Sequence, residues 1–497
     1  MSRAPMDGSR QRRLLVYGLI WAVCILGIAA ALHAGRNLTP PLRMAGAPAA
    51  HHAVPAPQAR AGFNAIPWSV LLRNPGGSLV RLLLQVAVIL SATRAVGSIF
   101  RKLGLPVVVG EITAGILLGP SLLGWLWPRG FNFIFSGASL DVLRLLSQVG
   151  VAVFMFAVGM ELEVGELGPR ARFAFLVSQT GILVPFFLGV VSALALYPAY
   201  ASPGTDFTAF ALFMGIAMSI TAFPVLVRIL EERGMAKTPV GAAAITCAAV
   251  GDASAWAILA LVVAFAKAEG VAVTLINLGL LGSFVVVMLV PVRRFVARRL
   301  GANEPAGGAP GPGSLAVVAL LTAGSALVTE SLGIHALFGA FLAGAIMPRR
   351  EAFRRCLIPR LERFTGTLLL PLFFAFSGLR THVGLLNDAE GALVCLAIVV
   401  VATAGKLGSS MLGARLGGMT WSDAFSFGAL MNTRGLMELI ALNIGYDLGV
   451  LPPPIFAMLV LMALTTTFLT GPLLDLGERI KSSFARGGSA GAPTLPR

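Results

Sequence analysis

Four ionisable side chains stand deep inside long apolar stretches of this chain. Asp252 lies in AAVGDASAW (248–256), Lys406 in ATAGKLG (402–408), and Arg434 and Glu438 share the stretch 424–446. Glu111 sits nearer the end of its own stretch. A charge at the centre of a bilayer costs about 2.5–3.5 kcal/mol on insertion scales, so each asks for a role or a partner. Asp252 is either an ion- or proton-binding carboxylate or a buried group satisfied by hydroxyls or by Lys406. Arg434 and Glu438 are four residues apart and would pair with each other on a regular helix. Glu111 reads equally as an interfacial cap. No serine–lysine pair, paired aspartates or His-Glu-x-x-His motif stands out, so no catalytic residue, metal or cofactor is expected.

The elements that must position these charges are broken in two places. In MSITAFP (218–224), Ser219 and Thr221 precede Pro224, which removes a helical hydrogen bond and clashes with the preceding turn. In MNTRG (431–435), Asn432 and Gly435 stand at membrane depth. Unwound backbone survives there only when it is buried in protein or lines a cavity. The two breaks share a short pattern, Gly215-x-x-Met218-Ser219 and Gly428-x-x-Met431-Asn432. The spans that hold them are seven apart in order, so they run in opposite directions. Inverted repeats around broken helices are the architecture of secondary transporters, with the ion site at mid-membrane.

Composition agrees. Of 497 residues, 57% are hydrophobic and 12% charged, about half the charge of a soluble domain. A net charge of +16 would suit nucleic acid, but the basic residues sit in short clusters between apolar runs, so no nucleic-acid partner is expected. Cys24, Cys247, Cys356 and Cys395 are scattered packing residues without metal-ligand spacing. Residues 1–34 form a basic segment followed by a signal anchor or signal peptide, with the anchor preferred. Residues 35–78 are a Pro/Ala-rich external linker, 79–478 the transmembrane domain, and 479–497 a short cytoplasmic tail. Thirteen spans are expected after the linker: 79–100, 105–125, 140–160, 173–198, 207–230, 240–265, 271–292, 314–330, 333–347, 364–379, 393–412, 424–446 and 454–474. This count places Arg101, Lys102, Arg170, Arg172, Arg233, Lys237, Arg293, Arg294, Arg298, Arg299, Arg349, Arg350, Arg354 and Arg355 inside. The external loops keep little beyond Arg129, Lys267 and Arg380. Such asymmetry would collapse if one span were missed or invented.

Six stretches, in this order, resemble motifs of the monovalent cation:proton antiporter-2 family, within the sodium/hydrogen exchanger superfamily. They are LPVVVGEITAGILLGP (105–120), FAVGME (156–161), SITAFPV (219–225), FLAG (341–344), LPLFF (370–374) and MNTRGL (431–436). The resemblance covers about residues 79–478. It implies an all-α antiporter fold with inverted repeats and two crossed discontinuous helices, here those with Thr221 and Thr433. It also implies a homodimer in a bacterial inner membrane, with a dimerisation panel and a mobile core. Asp252 falls on the family's ion-binding aspartate, Lys406 on the lysine of the helix before the second break, and Glu438 on an acidic position after it. The residue before the aspartate is usually Asp, Asn or Gln in the family. Here it is Gly251, which leaves Lys406 without the carboxylate partner known in two-aspartate members.

The resulting expectation is exchange of sodium or potassium for protons at one carboxylate, by alternating access. Asp252, Thr221, Ser219, freed carbonyls and water would supply the oxygens that hard cations prefer. Lys406, Glu438 and Arg434 would be coupled charges. A potassium efflux system of the same superfamily is the alternative within transport. Members of that type commonly carry a C-terminal nucleotide-binding domain, whereas this chain stops soon after its last span. A membrane receptor or assembly protein on the same fold is the alternative outside transport, and neither role requires a buried Asp252.

Overall fold

Apolar runs of about 20 residues cross a hydrocarbon core as helices, because no water is present there to take up free backbone N–H and C=O groups. The computed structural model describes residues 8–41, 78–135, 137–161, 171–267, 271–302, 311–332, 335–348, 351–386 and 388–489, and among these the regular structure is all helical. The chain begins with α1 (Gly8–Gly35), α2 (Ser78–Lys102), α3 (Val107–Leu118), α4 (Leu123–Leu126), α5 (Pro128–Ile134) and α6 (Gly137–Glu161). It continues with α7 (Ala171–Tyr200), α8 (Phe207–Ser219), α9 (Phe223–Glu232), α10 (Pro239–Ala266), α11 (Val271–Val287), α12 (Arg293–Ala302) and α13 (Pro312–Ser331). The last helices are α14 (Ala336–Ala345), α15 (Glu351–Phe364), α16 (Leu370–Leu379), α17 (Ala389–Leu416), α18 (Trp421–Met431), α19 (Leu436–Asp447) and α20 (Pro453–Ser489). Short π-helical stretches join α11 to α12 around Pro291, and α15 to α16.

Among the described residues, eleven stretches are long and apolar enough to span a membrane. Ten follow α1, and with α14, the rod α15–α16 and the broken pair α18–α19 they make up the thirteen expected passes. The side chains they leave exposed include Leu26, Val286, Leu320, Leu327, Leu393 and Val400, the residue types that face lipid. The pass expected at 333–347 is shorter than a span. Helix α14 has ten residues, about 15 Å of helix, half the hydrocarbon thickness. Most of the linker (42–77), together with Arg170, Arg349 and Arg350, lies outside the described residues.

The chain divides into two compact units. One comprises residues 42–161 and 281–384. Within it α3 packs on α16 and α6 on α14, so four of the family-like stretches meet in pairs. The contact of α6 with α14 explains the glycines in FAVGME and FLAG. A Cβ on Gly159 would lie 2.1 Å from the Phe341 carbonyl oxygen, and one on Gly344 would lie 2.0 Å from that of Phe156. Any side chain at either position would force the backbones apart, which is the small-residue packing of membrane helices.

The other unit comprises residues 1–41, 162–280 and 385–497. It contains two matching triplets, α7 with α8–α9 and α10, and α17 with α18–α19 and α20. Capping residues start several of these helices. Asp206 accepts from the N–H of Ala209, Thr238 from that of Gly241 and Thr420 from that of Asp423. Helix α1 lies along α7. The Tyr17 hydroxyl donates to the Gly413 carbonyl at 2.6 Å, and Trp21 Nε1 donates to Thr180 Oγ1 at 2.9 Å.

Candidate functional site

Both expected breaks are present. Helix α8 ends at Ser219, residues 220–222 are extended, and α9 begins at Phe223 with Pro224 in its first turn. Proline is at home there, because a first-turn N–H has no helical partner to lose. Helix α18 ends at Met431, Asn432 to Gly435 are non-helical, and α19 begins at Leu436. The two breaks are tied together. The N–H of Ala222 donates to the Thr433 carbonyl at 3.0 Å, and Thr221 Oγ1 donates to that of Met431 at 3.0 Å. Six passes lie between the pairs, so the two pairs run in opposite directions.

Each break leaves helix-end carbonyls that carry the negative end of a half-helix dipole. At α8 those carbonyls are taken by cations. The Arg434 guanidinium donates to Ala217 and Met218, both at 2.6 Å, and Lys406 Nζ donates to Ser219 at 2.5 Å and to Gly181 of α7 at 2.8 Å. At α18 hydroxyls serve instead. Thr433 Oγ1 donates to Leu430, and Thr467 of α20 brackets Arg434 by accepting from its N–H and donating to its carbonyl. Arg434 and Glu438 do meet, but at 3.4 Å, beyond the usual hydrogen-bond range. Both are fully buried. Arg434 is therefore first a cap for α8 and second an ion-pair partner.

Asp252 lies at mid-length of α10, 4% exposed. Helix α10 packs against α7, α8, α9 and α18. No hydrogen-bond partner reaches Asp252 Oδ1, and Lys406 spends its ammonium on the two carbonyls rather than on this carboxylate. The hydroxyls of Ser219 and Thr221 both donate to backbone carbonyls, Ile216 and Met431. Their oxygens keep lone pairs. The freed carbonyls expected as cation ligands at α8 are thus already engaged. Several buried polar atoms have no partner at all: Asn432 Oδ1 and Nδ2, Glu438 Oε2, Ser178 Oγ and Ser410 Oγ. Buried groups of this kind call for water or an ion. A cleft of about 560 Å³ opens between the start of α7, the start of α10 and the turn after α17, lined among others by Lys237, Thr238 and Thr246. Asp252 is six residues beyond Thr246, about 9 Å further along the helix axis.

The profile described as "Sodium/hydrogen exchanger, transmembrane" matches residues 86–476, a stretch that includes both breaks and every charge just described. The chain belongs to this family. It is 41% identical over 401 residues to the Na(+)/H(+) antiporter NhaS4 of Synechocystis sp., covering 80% of this chain and 97% of that one. It is 31% identical over 412 residues to the K(+)/H(+) antiporter 1 of Saccharomyces cerevisiae, covering 81% of this chain and 47% of the yeast protein. The chain thus spans nearly all of the cyanobacterial relative and about half of the yeast one. Among solved structures, the sodium proton antiporter MjNhaP1 from Methanocaldococcus jannaschii at pH 8 aligns with a TM-score of 0.54 at 16% identity, over 82% of this chain and 98% of that chain. At that identity the likeness concerns the fold. Family membership makes this a multi-pass membrane protein of a transporter family rather than of an enzyme family.

Glu111 belongs to the unit that holds α3, whereas Asp252, Ser219, Thr221, Lys406, Arg434, Glu438, Pro224, Asn432 and Gly435 all belong to the other. Sequence reasoning passed over Thr467 and Ser178. The run of three threonines at 465–467 inside an apolar span was the available signal for the first.

The carbonyl caps lead to one expected result here. Lys406→Met leaves two buried carbonyls without a donor, a loss of about 1–3 kcal/mol for each group left unsatisfied. The melting temperature of the purified protein should fall clearly. Cation-dependent proton flux should remain measurable, because Asp252 does not depend on an ion pair with Lys406. Abolished flux at unchanged melting temperature would instead put Lys406 on the ion.

Proposed function

We propose that this protein exchanges a monovalent cation, sodium or potassium, for protons across a bacterial inner membrane, with Asp252 carrying either ion in turn. The observation that carries this reading is a buried carboxylate lacking an ion pair, on a helix packed against both broken pairs. The names of the relatives support exchange of a cation for protons and include both sodium and potassium. In this reading the oxygens of Ser219, Thr221 and Asn432 share the cation with Asp252. The cleft above Thr246 is the inward path, on the side that the basic loops assign to the cytoplasm. Access alternates as the unit that holds the breaks moves, in a homodimer with its C-terminus inside.

A proton on Asp252 and a cation beside an ionised Asp252 give the site the same total charge. With glycine at 251, no second carboxylate joins the count. One-for-one exchange follows, without net charge movement. Cation addition to inverted vesicles that contain the protein should collapse an imposed pH gradient at a rate independent of membrane voltage. A current that reverses with voltage would contradict this stoichiometry, and no response to sodium, potassium or lithium would contradict exchange itself.

Helix α1 packs on α7 and α8 and bonds to α17 through the Tyr17 hydroxyl, and its Tyr17, Cys24 and Ala31 are buried. We infer that α1 is a retained anchor and not a cleaved signal. Mass spectrometry of protein purified from membranes should recover peptides from residues 14–34. A mature N-terminus after Ala31 would overturn this.

A further inference from the structure

Membrane-embedded hydroxyls ordinarily turn back onto the carbonyl three or four residues earlier. Thr180, Ser192, Thr246, Ser254, Thr466 and Thr470 of the unit that holds Asp252 all do so, at 2.8–3.2 Å. Ser178 does not. It is 1% exposed, and its Oγ has no hydrogen-bond partner. Its position explains what it faces. A Cβ built on Gly251 would lie 2.9 Å from Ser178 Oγ, the nearest heavy atom. The hydroxyl therefore occupies the room that a side chain beside Asp252 would need. Neighbouring contacts fix α7 at this height. Gln179 Nε2 donates to Ser254 Oγ at 2.6 Å, two residues past Asp252, and the Gly181 carbonyl accepts from Lys406 at 2.8 Å.

We propose that Ser178 supplies an oxygen to the hydrated cation held at Asp252, in the place left free by the glycine at 251. This rests on the reading of Asp252 as the exchange site. Two unpartnered oxygens thus lie on adjacent helices, Asp252 Oδ1 on α10 and Ser178 Oγ on α7, the second against the residue next to Asp252. A hard cation or its bound water is the ligand that satisfies both. A neutral hydroxyl that ligates the cation does not itself carry the exchanged proton, so it acts on cation affinity rather than on the proton step.

The test compares Ser178→Ala, Gly251→Ala, the double variant and Asp252→Asn as full-length protein, using sodium- and potassium-driven proton flux in vesicles together with melting temperature. Ser178→Ala should raise the apparent KM for the transported cation about tenfold, leave the maximal rate within about twofold, and leave the melting temperature unchanged, since the hydroxyl has no protein partner to lose. Gly251→Ala should raise KM as well, because its new methyl turns the hydroxyl away. The double variant should then be no worse than Ser178→Ala, the non-additivity of two changes to one interaction. A wild-type KM for Ser178→Ala, a lowered melting temperature with unchanged KM, or fully additive effects would overturn the assignment. If Asp252→Asn is silent while Ser178→Ala behaves as wild type, only the Ser178 assignment falls. If Asp252→Asn still exchanges, the reading of the site falls and takes Ser178 with it.

Discussion

Asp252→Asn should reduce cation-dependent proton flux to the level of empty vesicles, while the protein still folds and melts no lower than wild type. The amide keeps the size of the side chain but cannot carry a proton on and off, and it offers a cation no charge. Stability should hold because no ion pair joins Asp252 to Lys406, whose ammonium bonds to Gly181 and Ser219. Removing a buried charge that has no partner relieves a desolvation cost rather than breaking a bond. A large drop in melting temperature would mean that the carboxylate is structural. Flux and melting temperature measured on one preparation separate the two.

The second large effect falls on stability. Arg434→Met should leave the buried carbonyls of Ala217 and Met218 uncapped, at about 1–3 kcal/mol for each group, with further loss from the buried Glu438 left without its counter-charge. The variant should aggregate during purification or melt far below wild type. Glu438→Gln should be much milder. Its contact with Arg434 is 3.4 Å long and one of its oxygens already lacks a partner, while the guanidinium keeps both 2.6 Å bonds to α8. Arg434→Lys should fall between them, because one ammonium does not reproduce a planar fork that reaches two carbonyls. Equal losses for Arg434→Met and Glu438→Gln would place the ion pair, not the helix cap, at the centre of this cluster.

These contrasts also show which features are legible in a sequence. The passes could be counted because apolar length and basic-loop asymmetry are one-dimensional signals. The breaks could be placed because Pro224 and the Asn432–Gly435 run violate helix rules inside apolar spans. Fold class, inverted repeats and crossed broken helices followed, and the structure has them. Helix α14 was overestimated because Ile346 and Met347 continue its apolar run past the last helical residue. Partners were harder to see. Arg434 and Glu438 share a helical spacing, which suggests an ion pair, yet the break between them changes the geometry and frees carbonyls that compete for the guanidinium. Lys406 looked like a counter-charge in search of a carboxylate. Its acceptors are the carbonyls of a glycine and a serine, and any residue type presents a carbonyl. Ser178 was invisible for a similar reason, since a serine in an apolar helix ordinarily bonds to its own backbone, and only the neighbouring helix shows that this one does not.

The central claim is that one carboxylate holds either a proton or a cation. Its most direct test is the number of protons released per cation bound, measured in weakly buffered solution on the purified protein as sodium or potassium is titrated in. With Asp252 protonated at the outset, one proton should leave for each cation that binds, and Asp252→Asn should neither bind nor release. Cation binding without proton release, or release that persists in Asp252→Asn, would contradict the account.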